Sequence, residues 1–488
     1  MRMNVRLNSK MNVWVVAMAL AGCAAPRPAP VATTTALPAQ WQAGAQEGAQ
    51  EGVTADWWRS FGSAELDALV RQAQAQSLDV AAAVARVQQA GASARIAGAA
   101  LLPEVGASLN ASRQQRLGGN ASVNGSVNGS LFGAGLSASY EIDFWGRHRA
   151  ERDSALAALQ ASVFDRDTLQ LTVTAGVATA WLQAVALGER IAIGQNNLQS
   201  AQRLLALIES RARAGAATPL ELAQQRGLVA GQRRGVEALR QQAGDARSAL
   251  ALLLGQRGGP DIATQTLAAL RPPSIAAGLP AELLTRRPDI ARAEAQLAAA
   301  DANLLAARAA LLPRVTLTGG LATGGDPLRR VFDNPLYSLA AGLAAPVFDA
   351  GRLAAGRDLA QARREELLAG YRAAIACAFT DTEVALNAVA GVAAQSAAQA
   401  EELAQAQRAL TLAEHRYRAG ADSLLTLLDA QRTLYAAQDG AVQLQALGLQ
   451  AAVALYKALG GGWSRAAEAQ ADAQAIAANS TTMEGLTP

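Results

Sequence analysis

Two histidines and two cysteines in 488 residues leave little material for metal or thiol chemistry. His148 and His415 cannot build a His/Cys metal cluster within one chain. Outside the first 23 residues the sole cysteine, Cys377, has no disulfide partner and reads as a small apolar filler of a helix. Methionine is confined to the opening segment apart from Met483. There is no Walker loop, no nucleophile elbow and no paired-glycine phosphate fingerprint. The chain therefore reads as a non-enzyme that needs no cofactor. Basic and acidic residues nearly cancel, 43 against 40, and all the basic ones but Lys10 and Lys457 are arginine. With no basic run, the pI of about 9.1 does not indicate nucleic acid. The arginines suit helix-face ion pairs instead.

Proline is also scarce, 16 in all, and none occurs between His148 and Arg213. Apolar residues there recur at three- and four-residue steps, as in Leu156, Leu159 and Val163, among many alanines. One uninterrupted helix of some 60 residues would span roughly 90 to 100 Å. A second helix is expected from Pro219 to Leu254, with proline in its first turn. An earlier helix is expected over Ser77–Ala100, ending at the Pro103 break.

The whole pattern is written twice. Ala100–Val105 returns as Ala310–Val315, and Leu78-Asp79-Val80 answers Pro288-Asp289-Ile290. Further on, Glu209–Ala216 answers Glu414–Ala421, and Leu254-Gly255 answers Leu459-Gly460. A unit of about 200 residues is too large for a solenoid module, so two similar halves pack as one body. The second copy predicts helices at 288–311, 353–418 and 422–459.

Between the helices of each copy lie two short alternating stretches. In the first they are Val105–Ser112 and Gly135–Phe144, joined by the Gly/Asn/Ser segment 118–129; in the second, 315–321 and 337–348. Strands of about ten residues can cross an outer membrane when tilted. Open strand edges cannot exist in lipid, and four strands cannot close a barrel. Several chains must pool them: three would give 12 strands, two would give eight.

Arg2, Arg6 and Lys10 precede an apolar run, Met11–Ala21, of signal-peptide length. It ends in Leu20-Ala21-Gly22-Cys23, which looks like a bacterial lipobox. Cleavage before Cys23 would leave a lipidated cysteine, the only covalent addition expected. Ala24, in place of aspartate, favours the outer membrane. The expected organisation is a signal peptide 1–22, a lipidated tether 23–60, a first repeat 61–256, a linker or equatorial segment 257–280, a second repeat 281–463 and a tail 464–488.

Several motifs resemble the outer-membrane factor family, the TolC/OprM type of ducts, and within it the lipoprotein (NodT-like) branch. They are Leu283–Ile290, Ala307–Thr318, Tyr140–Arg147, His415–Gly420, Leu424–Arg432 and Leu455–Trp463. The resemblance implies a mainly α fold with a small β part. Three chains would form a 12-stranded outer-membrane β-barrel continued by a long periplasmic α-helical coiled-coil barrel. It implies a homotrimer in the outer membrane that works with a periplasmic adaptor and an inner-membrane RND-type transporter. It further implies a passive duct for drugs or other small molecules. A type I protein-secretion duct and a structural coiled-coil surface lipoprotein are the alternatives.

Gly215 and Gly420 mark the turns between long helices. Just beyond the second, Leu425 and Asp429 stand four apart and share a helix face. The resemblance sets them at the periplasmic aperture, as one apolar and one anionic ring. It also makes Arg416 and Tyr417 links that hold the coils closed, with Glu221 the acceptor for Tyr417. Asp422, in the turn itself, is the expected N-cap of the returning helix.

Overall fold

The computed structural model describes residues 40–42, 53–114, 129–270, 273, 275–326 and 328–465. The signal peptide, Cys23, most of the tether, most of the Gly/Asn/Ser segment and nearly all of the tail lie outside these residues.

Eight helices and four strands are named here in chain order: α1 (Ala64–Gln76), α2 (Leu78–Ala99), β1 (Glu104–Gln114), β2 (Gly129–Ile142), α3 (Arg147–Arg213), α4 (Pro219–Leu253), α5 (Leu283–Arg286), α6 (Pro288–Ala309), β3 (Arg314–Gly325), β4 (Leu336–Ala344), α7 (Arg352–Arg418) and α8 (Leu424–Ala458). The repeat is visible in helix lengths. Helices α2 and α6 have 22 residues each, α3 and α7 have 67 each, and α4 and α8 have 35 each.

The helix expected over Ser77–Ala100 is α2, and α1 precedes it as a helix the sequence pattern does not mark. The chain breaks at Ser77, whose backbone is extended (φ −61°, ψ 127°). In the second copy Arg287 is extended at the matching place (φ −108°, ψ 121°). There the cause is local, because Pro288 drives the preceding residue out of the helical region. Each 67-residue helix starts under an aspartate. Asp143 accepts the amides of His148 and Arg149, both at 3.0 Å, and Asp349 accepts those of Gly351 and Leu353 at 3.1 and 3.0 Å. The ordinary carboxyl range is not kept at Asp143. Partial burial alone would raise it, but the Arg149 amide and guanidinium bonds outweigh that and hold it low.

The four strands form one antiparallel sheet in the order β1-β2-β3-β4. Strand β2 begins at Gly129, six residues before the stretch the sequence marked, because pairs such as Arg113↔Ser130 extend the ladder into the Gly/Ser segment. The register sorts the faces. Val105↔Ala138, Ala107↔Leu136, Leu317↔Tyr140, Leu321↔Tyr337 and Val315↔Leu343 all lie on one side. Ser108↔Gly135, Ser139↔Thr318 and Gly320↔Ser338 lie on the other. One face is thus mainly apolar, ending at the Arg113↔Ser130 pair, while the other carries mainly small and polar side chains. The apolar set stands exposed in the single chain, with Leu109 86%, Leu339 82% and Leu343 73% accessible.

Contacts divide the chain into two compact units. One contains the described residues of 87–162 and 293–371, the sheet included; the other contains those of 35–86, 163–292 and 372–488. Each draws on both copies of the repeat. In the second unit Trp57 stacks on Tyr456 with ring centres 5.0 Å apart. Glu65 fastens the stretch after α4 by accepting the Ala263 amide (2.7 Å), the Thr264 hydroxyl (2.6 Å) and the Trp181 indole N–H (3.2 Å). Arg287 is buried and chelated by Asp289 (3.0 and 2.7 Å), with further bonds to Asp381 and the Ala458 carbonyl. Cys377 is exposed rather than core filler. The covered face of α7 runs through Ile375, Ala378, Thr382 and Ala385, and Cys377 falls off that stripe.

Candidate functional site

The two turns joining long helices share one construction. At the first, the Ala216 amide bonds the Arg211 carbonyl (2.8 Å), the Gly215 amide bonds Ala212 (3.0 Å), and Gly215 has φ 74°. At the second, Ala421 bonds Arg416 (2.9 Å), Gly420 bonds Tyr417 (3.1 Å), and Gly420 has φ 70°. This is a Schellman end, where the left-handed residue favours glycine. The returning helices are capped by Thr218 and Ser423, whose side chains accept the amides of Glu221 and Thr426. The N-cap of α8 is therefore Ser423 and not Asp422. Asp422 instead accepts Arg416 Nε (2.9 Å) and the Thr426 hydroxyl (3.3 Å). The Arg416 bond holds the Asp422 carboxyl below its ordinary range.

Of the sequence-picked groups, Arg416 and Glu221 are each bonded inside their own turn. The Glu221 carboxylate accepts both the amide (2.6 Å) and the hydroxyl (3.1 Å) of Thr218, completing a capping box. The chain does not bring Glu221 to Tyr417. The Tyr417 ring lies in an apolar cluster with Ile208, Leu228, Val229, Leu424, Leu427 and Leu428. Its buried hydroxyl has no hydrogen-bond partner among the described residues. The Arg211 guanidinium lies over that ring, 5.3 Å from its centre. Within one chain the ends of α3 and α7 are thus joined by apolar and cation–π contact.

Leu425 and Asp429 share the face of α8 that the chain leaves open. Leu424, Leu427 and Leu428 are buried, whereas Leu425 is 62% exposed and Asp429 is exposed too. Along the same face follow Arg432, Ala436 and Asp439, which the sequence reading did not single out. Their steps of three and four from Asp429 were the available signal. Asp439 is gripped by Arg190 of α3, Nε–Oδ1 2.6 Å and Nη2–Oδ2 3.0 Å. Arg190, Arg432 and Asp439 line a cleft of about 460 Å³ between α3, α4 and α8, with Asn197, Gln232 and Gln242. Among the described residues no group of three or more His, Cys, Asp or Glu is arranged to hold a metal ion.

An uncapped sheet with one apolar face, long paired helices and a twofold internal repeat define a narrow class of protein. The outer membrane efflux protein model matches residues 69–256 and 279–461, one stretch in each half of the chain. The chain belongs to the outer membrane efflux protein family. The pyoverdine export outer membrane protein OpmQ of Pseudomonas aeruginosa is 50% identical over 469 residues, covering 95% of this chain and 98% of that protein. OpmQ of Pseudomonas putida is 51% identical over 454 residues, 92% and 96% of the two chains. The solved structure of the channel CusC superposes with a TM-score of 0.79 at 29% identity, covering 90% of this chain and 98% of that one. The family member described here is an outer membrane channel of an efflux system and not an enzyme. The resemblance read from the motifs, the mainly helical fold and the efflux function all stand, and the coiled-coil spacer is set aside.

Proposed function

We propose that three copies of this chain close a 12-stranded barrel and form the passive exit duct of a tripartite pump that exports a siderophore-type small molecule. The sheet carries this reading. It has a mainly apolar face, an opposite face of mainly small and polar side chains, and two outer edges, on β1 and β4, with no strand beside them among the described residues. Lipid tolerates no such edge, so each must pair with a neighbour. Strand directions alternate, so β4 of one copy meets β1 of the next antiparallel. Homotrimers are the assembly of this family's channels. The export of pyoverdine named for the two relatives at about half identity supports the substrate class.

The aperture is lined by Leu425 and Asp429. Arg416 and Glu221 serve it by fixing the two turns, and Tyr417 by the apolar cluster that joins them. A periplasmic adaptor and an inner-membrane RND-type transporter supply docking and energy. Lipidated Cys23 adds an outer-membrane anchor; at ~0.8 kcal/mol per buried methylene an acylated cysteine holds firmly.

Deleting the gene tests the substrate reading. Siderophore should accumulate in the cell and fall in the medium, with recovery on complementation; unchanged secretion would refute it. Native mass spectrometry tests assembly, where a stable detergent-solubilised monomer would contradict the barrel. Metabolic labelling with palmitate that marks wild type but not Cys23→Ala is expected for the anchor.

A further inference from the structure

We infer that Arg432 sets the ion preference of the aperture by placing a cation on the Asp429 face, one helical turn farther along α8. This rests on the aperture reading above. Asp429 and Arg432 stand three apart and are both exposed. Neither the Asp429 carboxylate nor the Arg432 guanidinium has a hydrogen-bond or ion-pair partner among the described residues. The next charge on the stripe, Asp439, is already neutralised by the two-pronged Arg190 pair and also accepts Gln443 Nε2 (2.6 Å). Among the described residues Arg432 is thus the one uncompensated cation on this face of α8, and Asp429 the one uncompensated anion. Arg432 is exposed and also lines the cleft beside it. Both charges belong to the second copy alone, since the equivalent residues of the first are Gln224 and Gly227.

The geometry decides what a permeating solute feels. Three residues of helix rise are about 4.5 Å. Physiological salt screens over roughly 8 Å. An ion at the Asp429 ring is therefore within reach of the Arg432 ring as well. Three carboxylates alone would attract cations, concentrate divalent ions and repel anionic solutes. Three guanidinium groups within the screening length cancel that field. The aperture then admits carboxylate-bearing and zwitterionic solutes as readily as cations, and discriminates by size through Leu425.

The test is the reversal potential of the purified trimer in planar bilayers across a KCl gradient. Wild type should show a K⁺/Cl⁻ permeability ratio within about twofold of unity. Arg432→Gln should shift it toward K⁺ by about two- to tenfold and add block by Mg²⁺. Arg432→Lys should behave as wild type, and Asp429→Asn should shift the ratio toward Cl⁻. If Arg432→Gln leaves the ratio unchanged while Asp429→Asn moves it, the inference fails and the aperture reading stands. If Arg432→Lys shifts it like Arg432→Gln, packing and not charge is at work, and the inference is overturned. If neither Asp429→Asn nor Arg432→Gln moves it, both the aperture reading and the inference fall.

Discussion

The Arg211 guanidinium lies 5.3 Å above the centre of the Tyr417 ring, and the Tyr417 hydroxyl, though buried, bonds to nothing among the described residues. The tyrosine therefore acts in this chain through its ring. Tyr417→Phe removes an unpartnered polar atom and should cost under ~1 kcal/mol. Tyr417→Ala empties an aromatic site in the cluster and should cost about 3–5 kcal/mol. In single-channel recordings the Ala variant should open more often or more widely, and the Phe variant should match wild type. A Phe variant as open as the Ala variant would mean that the hydroxyl bonds a partner in the assembly.

Gly460 and Gly255 tie the ends of α8 and α4 to the backbone just before α6 and α2. A Cβ on Gly460 would sit 1.9 Å from the Arg286 carbonyl oxygen, and one on Gly255 2.3 Å from that of Gln76. Both glycines also have positive φ, 91° and 69°. Gly460→Ala should therefore cost well over the ~1–2 kcal/mol of the backbone conformation alone. Gly244→Ala, in the interior of α4 with open space around it, should instead gain ~0.5–1 kcal/mol. Thermal melting of the purified proteins separates the two.

On strand β1, Leu109 and Ser108 are neighbours that point to opposite faces. Leu109→Arg puts a charge on the apolar side, at a cost of about 2–4 kcal/mol if it reaches the middle of the bilayer. It should sharply reduce the amount of protein in outer-membrane fractions. Ser108→Arg faces the interior of the proposed barrel, so it should assemble normally and lower the conductance. Equal assembly of both variants would contradict the assignment of the faces, and loss of the Ser108→Arg variant alone would reverse it.

Glu65 gives a pH prediction. Burial raises its pKa, but bonds from Thr264, Ala263 and Trp181 outweigh this and hold it below the ordinary carboxyl range. A depressed carboxylate contributes stability that is fully present above its unfolded value of ~4.3 and is lost as the pH falls through the folded value. Acid should release the 263–264 stretch, seen as faster limited proteolysis there below about pH 4. In Glu65→Gln that acid dependence should be weaker and cleavage faster at neutral pH.

Much of this architecture was legible in the chain. The duplicated Ala-Leu-Leu-Pro motif, the proline-free run from His148 to Arg213 and the glycines at 215 and 420 determined two long helix pairs and their turns. These are local properties: periodicity, absence of a helix breaker, and residues that accept positive φ. The alternation Val105, Ala107, Leu109, Ala111 likewise determined a two-faced strand. Tertiary structure decided where those signals met competition. Asp422 and Ser423 both suit an N-cap, and the cap went to Ser423 because Arg416 reaches Asp422. Glu221 and Tyr417 both carry groups able to bond one another, yet Glu221 closes its own capping box and Tyr417 is drawn into an apolar cluster. Cys377 lies on a helix whose composition is uniform, so only packing could say which stripe is covered. The rotation of α8 buries Leu424, Leu427 and Leu428 and leaves Leu425, Asp429 and Arg432 open. Helical spacing alone says which residues share a face. The neighbouring helices say which face they leave uncovered.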